Sequence, residues 1–382
     1  MYTSLRLPLL LCLTVSFGAC ALSRDETGEP PAELVDFSPA FRMSKAWSES
    51  LGGDAQNLRL GLMPASDNAR VYAAGRKGDI VALDQANGRR VWRTKTKLPL
   101  SAGPGLGGDL LVVGSSDGDL VALDKNSGEV RWQTRLSSEI IAAPAVSRNT
   151  VVVRSVDGFL RGLNADNGSE RWKLQFEVPR LSLRGNASPV LTGDLVVAGF
   201  DNGKVAAVSY ATGAVAWQAT LGSPRGRTEL ERLTDVDASP VAVGNDLYLV
   251  NYQGRVVMVK PASGQLIWSQ DLSSYSGMAA DWNQLYVSDE NSEVVALDRE
   301  TGTEKWRQTG LRARDLTAPT VFGESIIVGD FEGYLHFLSR ESGEFQSRIR
   351  VGKNAIINPA LILDKGLAVQ TSGGLVTALL RR

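Results

Sequence analysis

Residues 121–132 read Val121-Ala122-Leu123-Asp124-Lys125-Asn126-Ser127-Gly128-Glu129-Val130-Arg131-Trp132. An apolar run of strand formers stops at an aspartate, a polar turn closes on glycine, and a second run ends on tryptophan. Asp and Asn side chains bond the local backbone in such turns, and glycine supplies the positive φ. The segment therefore reads as a β-hairpin. Outward from it, residues 110–113 form another apolar run and Ser116-Asp117-Gly118 another turn. One unit is thus a set of short antiparallel strands.

The unit recurs. Gly followed four residues later by Trp occurs as Gly88/Trp92, Gly128/Trp132, Gly168/Trp172, Gly213/Trp217, Gly264/Trp268 and Gly302/Trp306, with Gly343/Ser347 as a degenerate seventh copy. A proline stands 28 residues before the last position of each copy at Pro64, Pro104, Pro144, Pro189, Pro240 and Pro319, with Met278 substituting before Trp306. Constant internal length with variable links marks one supersecondary module copied along the chain. At about 40 residues per copy and four short strands, the architecture that buries both sheet faces is a β-propeller. Pro359 begins an eighth copy, which would need to run to position 387, whereas the chain ends at Arg382. Residues 43–48, carrying Trp47, are an orphan outer strand. Pairing them with the last copy predicts an all-β, eight-bladed propeller of four-stranded antiparallel blades, closed by the N-terminal strand and leaving no open sheet edge at the seam.

Composition narrows function. There are 41 basic and 42 acidic residues, a near-balance that argues against a phosphate-backbone binder. His336 is the only histidine, and the two cysteines lie within the first 20 residues, so the mature chain cannot assemble a Cys/His zinc site, and one imidazole is all it offers to a Ser-His-Asp triad. The recurring Asp84, Asp124 and Asp298 sit in the turn of each copy and read as structural. The reading assigns no catalytic residue, no cofactor and no metal.

The N-terminus reads as a targeting segment. Arg6 precedes an eleven-residue apolar run, 7–17, which suits a secretory h-region and is too short to span a bilayer. Gly18-Ala19-Cys20 then resembles the lipobox of bacterial lipoproteins, which implies a signal peptide over 1–19, a lipidated Cys20 and, because Ala21 is not aspartate, an outer-membrane destination. An ordinary signal-peptidase site is the alternative. Residues 20–42 are acidic and proline-bearing and read as a tether, with the propeller over 43–382.

The two longest adjacent links, 173–188 and 218–239, belong to no blade. The first carries Arg180-Leu181-Ser182-Leu183-Arg184-Gly185; the second carries 225–232, rich in charge, and then Leu233-Thr234-Asp235-Val236-Asp237. Leucines beside arginine and paired carboxylates are the materials of a protein interface.

The repeated Leu-Asp-x-x-x-Gly-x-x-x-Trp pattern resembles that of the pyrroloquinoline quinone dehydrogenases, which fits the propeller type and leaves a quinone-dependent dehydrogenase as one alternative. A propeller binding a small ligand in its channel is another. The whole mature chain is more closely similar to the BamB family, the lipoprotein subunits of the outer-membrane β-barrel assembly machinery, and the segments 181–185 and 233–237 match that family's motifs. The resemblance implies a non-enzymatic scaffold in the periplasm that binds the POTRA domains of BamA through Leu181, Leu183, Arg184, Asp235 and Asp237. Such a scaffold either orients BamA or offers surface to incoming barrel strands.

Overall fold

In the computed structural model the described residues are 29–53, 58, 60–222 and 227–382. The signal sequence, Cys20 and the start of the tether lie outside them, as do Arg225 and Gly226. From Pro31 to Arg382 the chain forms one compact unit.

Eight four-stranded antiparallel sheets are arranged in a ring. Blade 2 shows the pattern: inner strand Leu100–Gly107, then Leu110–Ser115, Asp119–Asp124 and outer strand Val130–Arg135. The three inner strands are almost wholly buried while the outer one alternates, because neighbouring blades cover both faces near the axis and only one face at the rim. Blade 8 consists of Leu361–Leu363, Gly366–Gln370, Leu375–Arg381 and the N-terminal strand Met43–Ser50, which pairs antiparallel with Leu375–Arg381 and sets Trp47 opposite Ala378. The closure expected from the truncated eighth copy is therefore present, and the first and last strands are held in one sheet.

The Gly-Trp spacing is an interblade device. Trp92 Nε1 donates to the Lys125 carbonyl at 3.0 Å, Trp132 to Ala165 at 2.7 Å and Trp217 to Pro261 at 2.7 Å, each acceptor lying in the turn of the next blade. Trp47, Trp172, Trp268 and Trp306 do the same. The glycine of that turn lies flat on the indole: a Cβ on Gly128 (φ 75°) would come within 2.6 Å of the Trp92 ring. Each tryptophan thus reads the glycine of the following copy.

This explains the degenerate copy. Blade 8 has no turn before its outer strand, since that strand comes from the other end of the chain, so blade 7 has nothing for an indole to dock on. Ser347 stands there, buried, and Phe41 fills the seam instead, meeting Phe337 edge-on at a centroid distance of 5.6 Å.

The tether expected over 20–42 differs in its second half. From Pro31 the chain lies as a strap on blades 6 and 7: the Ala32 amide donates to the Arg312 carbonyl (2.9 Å), Arg314 Nη1 donates to Ala32 O (3.0 Å) and Arg348 Nη1 to Val35 O (3.0 Å). Phe37 stacks on Phe345 at 5.5 Å and Leu34 packs against the blade 6–7 core. Acidic, proline-bearing composition hid three anchors, Leu34, Phe37 and Phe41, whose spacing follows the surface they meet and not a strand or helix period.

Candidate functional site

In an antiparallel four-stranded blade the outer strand ends on the face where the next inner strand begins. All interblade links therefore emerge on one face, together with the turn between the second and third strands of each blade. Blade 4 (Val190–Thr192, Leu195–Gly199, Lys204–Ser209, Val215–Thr220) is flanked there by the two long links, which run from Glu170–Gln175 of blade 3 and toward Val241–Val243 of blade 5.

The links form two layers. In the outer layer Leu181 and Leu183 point to solvent, 41 % and 36 % exposed, and Leu230 of the second link is 67 % exposed. Arg184, in the left-handed region at φ 54°, pairs with Glu139. Below lies the segment 233–237, which packs inward: Val236 is fully buried against Gly199, and its amide donates to Phe200 O at 3.2 Å.

Asp235 and Asp237, grouped with the leucines as contact residues by the resemblance, are instead buried beneath the loop, at 0 % and 4 % exposure. They face inward because Leu233 and Val236 take the core positions around them, leaving the carboxylates under the loop. Asp235 Oδ2 accepts the Leu183 amide at 2.5 Å. Asp237 lies so close under Gly185 that a Cβ there would stand 1.9 Å from its Oδ1. Asp235 thus bonds the outer layer and Asp237 lies directly beneath it, while Leu181, Leu183 and Arg184 are at the surface.

Two residues the sequence did not single out complete this support. Arg154, closing the strand Thr150–Arg154, forms a buried ion pair with Asp201 from the middle turn of blade 4, and its Nη1 reaches Gly185 O at 3.5 Å. Asp201-Asn202-Gly203 reads as an ordinary turn; the available signal was Arg154 itself, a lone charge at the end of an apolar strand. Burial pushes the Asp235 carboxyl up to about 7, against the Leu183 amide, which favours its charged form. Asp237 rises well above the ordinary range, first through burial and then through Asp235 and Asp201.

Beside Gly185 and Asp237 a cavity of about 140 Å³ opens at the axis, lined also by Leu183, Asn186, Tyr275 and Thr317. The periodic aspartates are structural as expected: Asp84 Oδ1 accepts the amides of Ala86 and Asn87, and Asp124 Oδ1 those of Asn126 and Ser127. Trp282, the tryptophan outside the repeat, caps the first hairpin of blade 6 on the opposite face, largely exposed, with Arg299 5.5 Å over its ring.

Fold and links together define an eight-bladed propeller of the tryptophan-docked type that carries a loop with exposed leucines on one face. A family model described as outer membrane protein assembly factor BamB matches residues 76–308. The outer membrane protein assembly factor BamB of Pseudomonas aeruginosa is 46 % identical over 372 residues, covering 97 % of both chains, and that of Escherichia coli K12 is 34 % identical over 99 % of each. Among solved structures, BamB from Moraxella catarrhalis superimposes with a TM-score of 0.81 at 29 % identity, over 89 % of this chain and all of that one. The quinohemoprotein alcohol dehydrogenase of Comamonas testosteroni, at 13 % identity and TM-score 0.69, shares the fold alone. The chain belongs to the BamB family.

Proposed function

We propose that this chain, an outer membrane protein assembly factor of the BamB family, works as a non-enzymatic scaffold at the periplasmic face of the outer membrane, held by a lipid on Cys20. Its partner in this reading is a POTRA domain of BamA, docked on Leu181, Leu183 and Arg184. The observation that carries it is the two-layer loop. Exposed leucines normally cost nothing and do nothing, but here two of them sit on a short segment whose backbone is fastened from below by Asp235 and Arg154. A loop ordered in advance does not lose that conformational entropy on binding, so apolar anchors on it contribute more of their burial to affinity. Arg184 at the rim sets register and contributes to the encounter rate.

The test is the double variant Leu183→Glu/Arg184→Ala in the lipidated protein. Both side chains are exposed, so stability should change by no more than about 0.5 kcal/mol each. Co-purification with the barrel subunit should be lost at an unchanged unfolding temperature. Retained capture by a folded variant would remove the loop from the interface.

A further inference from the structure

Between the two layers lies a feature that the docking reading does not use. Asp201, Asp235 and Asp237 bring one carboxylate oxygen apiece to within 4.8 Å of one another, and all three residues are buried. Two oxygens bound to one calcium ion at about 2.3–2.6 Å lie up to about 5 Å apart, so a single ion can bridge this set. A separate observation concerns hydrogen bonding. Among the described residues, both oxygens of Asp237 and Oδ1 of Asp235 are buried with no well-formed hydrogen bond, the Gly185 backbone alone lying close to Asp237, which is 4 % exposed and directed into the cluster. Buried acceptors in a folded protein are almost always satisfied, and an ionised carboxylate with nothing to neutralise it is the costliest exception.

Charge counting points the same way. Among the described residues the one ion pair made with the set is Arg154 with Asp201; Arg154 acts on Asp235 and Asp237 only through space, and Lys204 and Arg232 line the cavity alongside, which leaves those two carboxylates without an ion pair of their own. A divalent ion balances them. Hard cations prefer carboxylate oxygen and complete their coordination with water. Cavities flank the set on two sides: Asp237 lines the axial one, and Asp201 and Asp235 line a second beside Leu181, Thr220 and Arg232. Gly185 is required at the rim, since any side chain there would collide with Asp237.

We propose that Asp201, Asp235 and Asp237 form a binding site for a hard divalent cation, calcium in preference to magnesium, seated between the 181–185 loop and the 233–237 segment. The preference follows from an irregular set of carboxylates drawn from a turn and a link, which calcium tolerates and the strict octahedral geometry of magnesium does not. An ion there ties both links to blade 4 and stiffens the loop that carries Leu181 and Leu183. The site stands on its own geometry and does not depend on what docks above it.

The experiment is isothermal titration of calcium chloride, and separately of magnesium chloride, into the full chain stripped with chelator, followed by thermal unfolding with and without each ion. Calcium should bind one to one and raise the unfolding temperature. In Asp237→Asn, which keeps the side-chain shape and removes the charge, affinity should drop at least about tenfold because it follows the ligands' charge count. Should that variant fail to fold, Asp201→Asn and the wild-type response to chelator decide the matter. Absence of binding heat and of any thermal shift in the wild type would overturn the proposal, as would undiminished binding in folded variants. Magnesium bound as tightly as calcium would overturn the stated preference.

Discussion

Trp132 offers the most direct measure of what holds the blades together. It is 8 % exposed, donates to Ala165 O in blade 3, and carries the backbone of Gly168 on its ring face. An indole of this kind buries about 150–250 Å², which at about 25 cal/mol per Å² corresponds to about 4–6 kcal/mol of transfer free energy. Partial relaxation of the cavity brings the expected cost of Trp132→Ala to about 3–5 kcal/mol. The Ala165 carbonyl left without its donor adds about 1 kcal/mol. At about 2 cal/mol/K per residue, unfolding entropy for a unit running from Pro31 to Arg382 is about 0.7 kcal/mol/K, so about 4 kcal/mol lowers Tm by about 6 °C. Differential scanning calorimetry of the variant is the assay. Trp132→Phe, which keeps a ring but cannot donate, should fall between the two, and Trp282→Ala, on the exposed indole, should stay within about 1 °C of the parent. If Trp132→Ala melts with the parent, the Gly-Trp pairs are ornaments of the repeat and something else joins the blades.

Two further outcomes are expected. Cys20→Ser should move the protein from the outer-membrane fraction to the soluble periplasm without altering its unfolding; membrane retention of the serine variant would end the lipid-anchor assignment. Acid should loosen the strap through His336, a fully buried ring that accepts from Arg348 Nε at 3.2 Å and lies 3.0 Å from Asp330, with Arg314 also on Asp330 and Tyr334 alongside. Burial holds this imidazole below its ordinary 6.5, against the pull of Asp330. A base depressed in the fold gives stability that is lost as pH falls below the unfolded value. Asp330 adds to the loss further into acid: burial alone would raise its pKa, but the His336 hydrogen bond holds it low. Asp235 and Asp237, raised in the fold, work the other way and favour it as pH falls, so the His336 effect is read locally: between about pH 7 and about 5 proteolysis within 31–42 should quicken. His336→Gln should flatten the upper part of that profile; an unchanged slope would place the sensitivity elsewhere.

Much of this protein is legible in one dimension because a propeller is built from local parts. Each hairpin is decided by its own turn residues, each blade by its own apolar runs, and the interblade contact by a Gly-Trp spacing internal to the copy. Even ring closure follows from counting, since the strand missing after Pro359 is the strand left over around Trp47. The exposure of Leu181 and Leu183 could be anticipated for the same reason: they fall in a link that no blade claims. Periodicity is silent where residues far apart in sequence meet without repeating. Asp235 and Asp237 look like surface charges in a polar link, yet Leu233 and Val236 pull the segment into the core and leave the carboxylates under the loop. Arg154 and Asp201 belong to different blades, and only the ring brings their charges together. The strap over 31–42 likewise carries its anchors at intervals dictated by blades 6 and 7. Local sequence determines the modules and their number, because turn chemistry and alternation act over a few residues. Which charges are buried, and against what, is decided by tertiary structure, because desolvation depends on everything that surrounds a group and not on its neighbours in the chain.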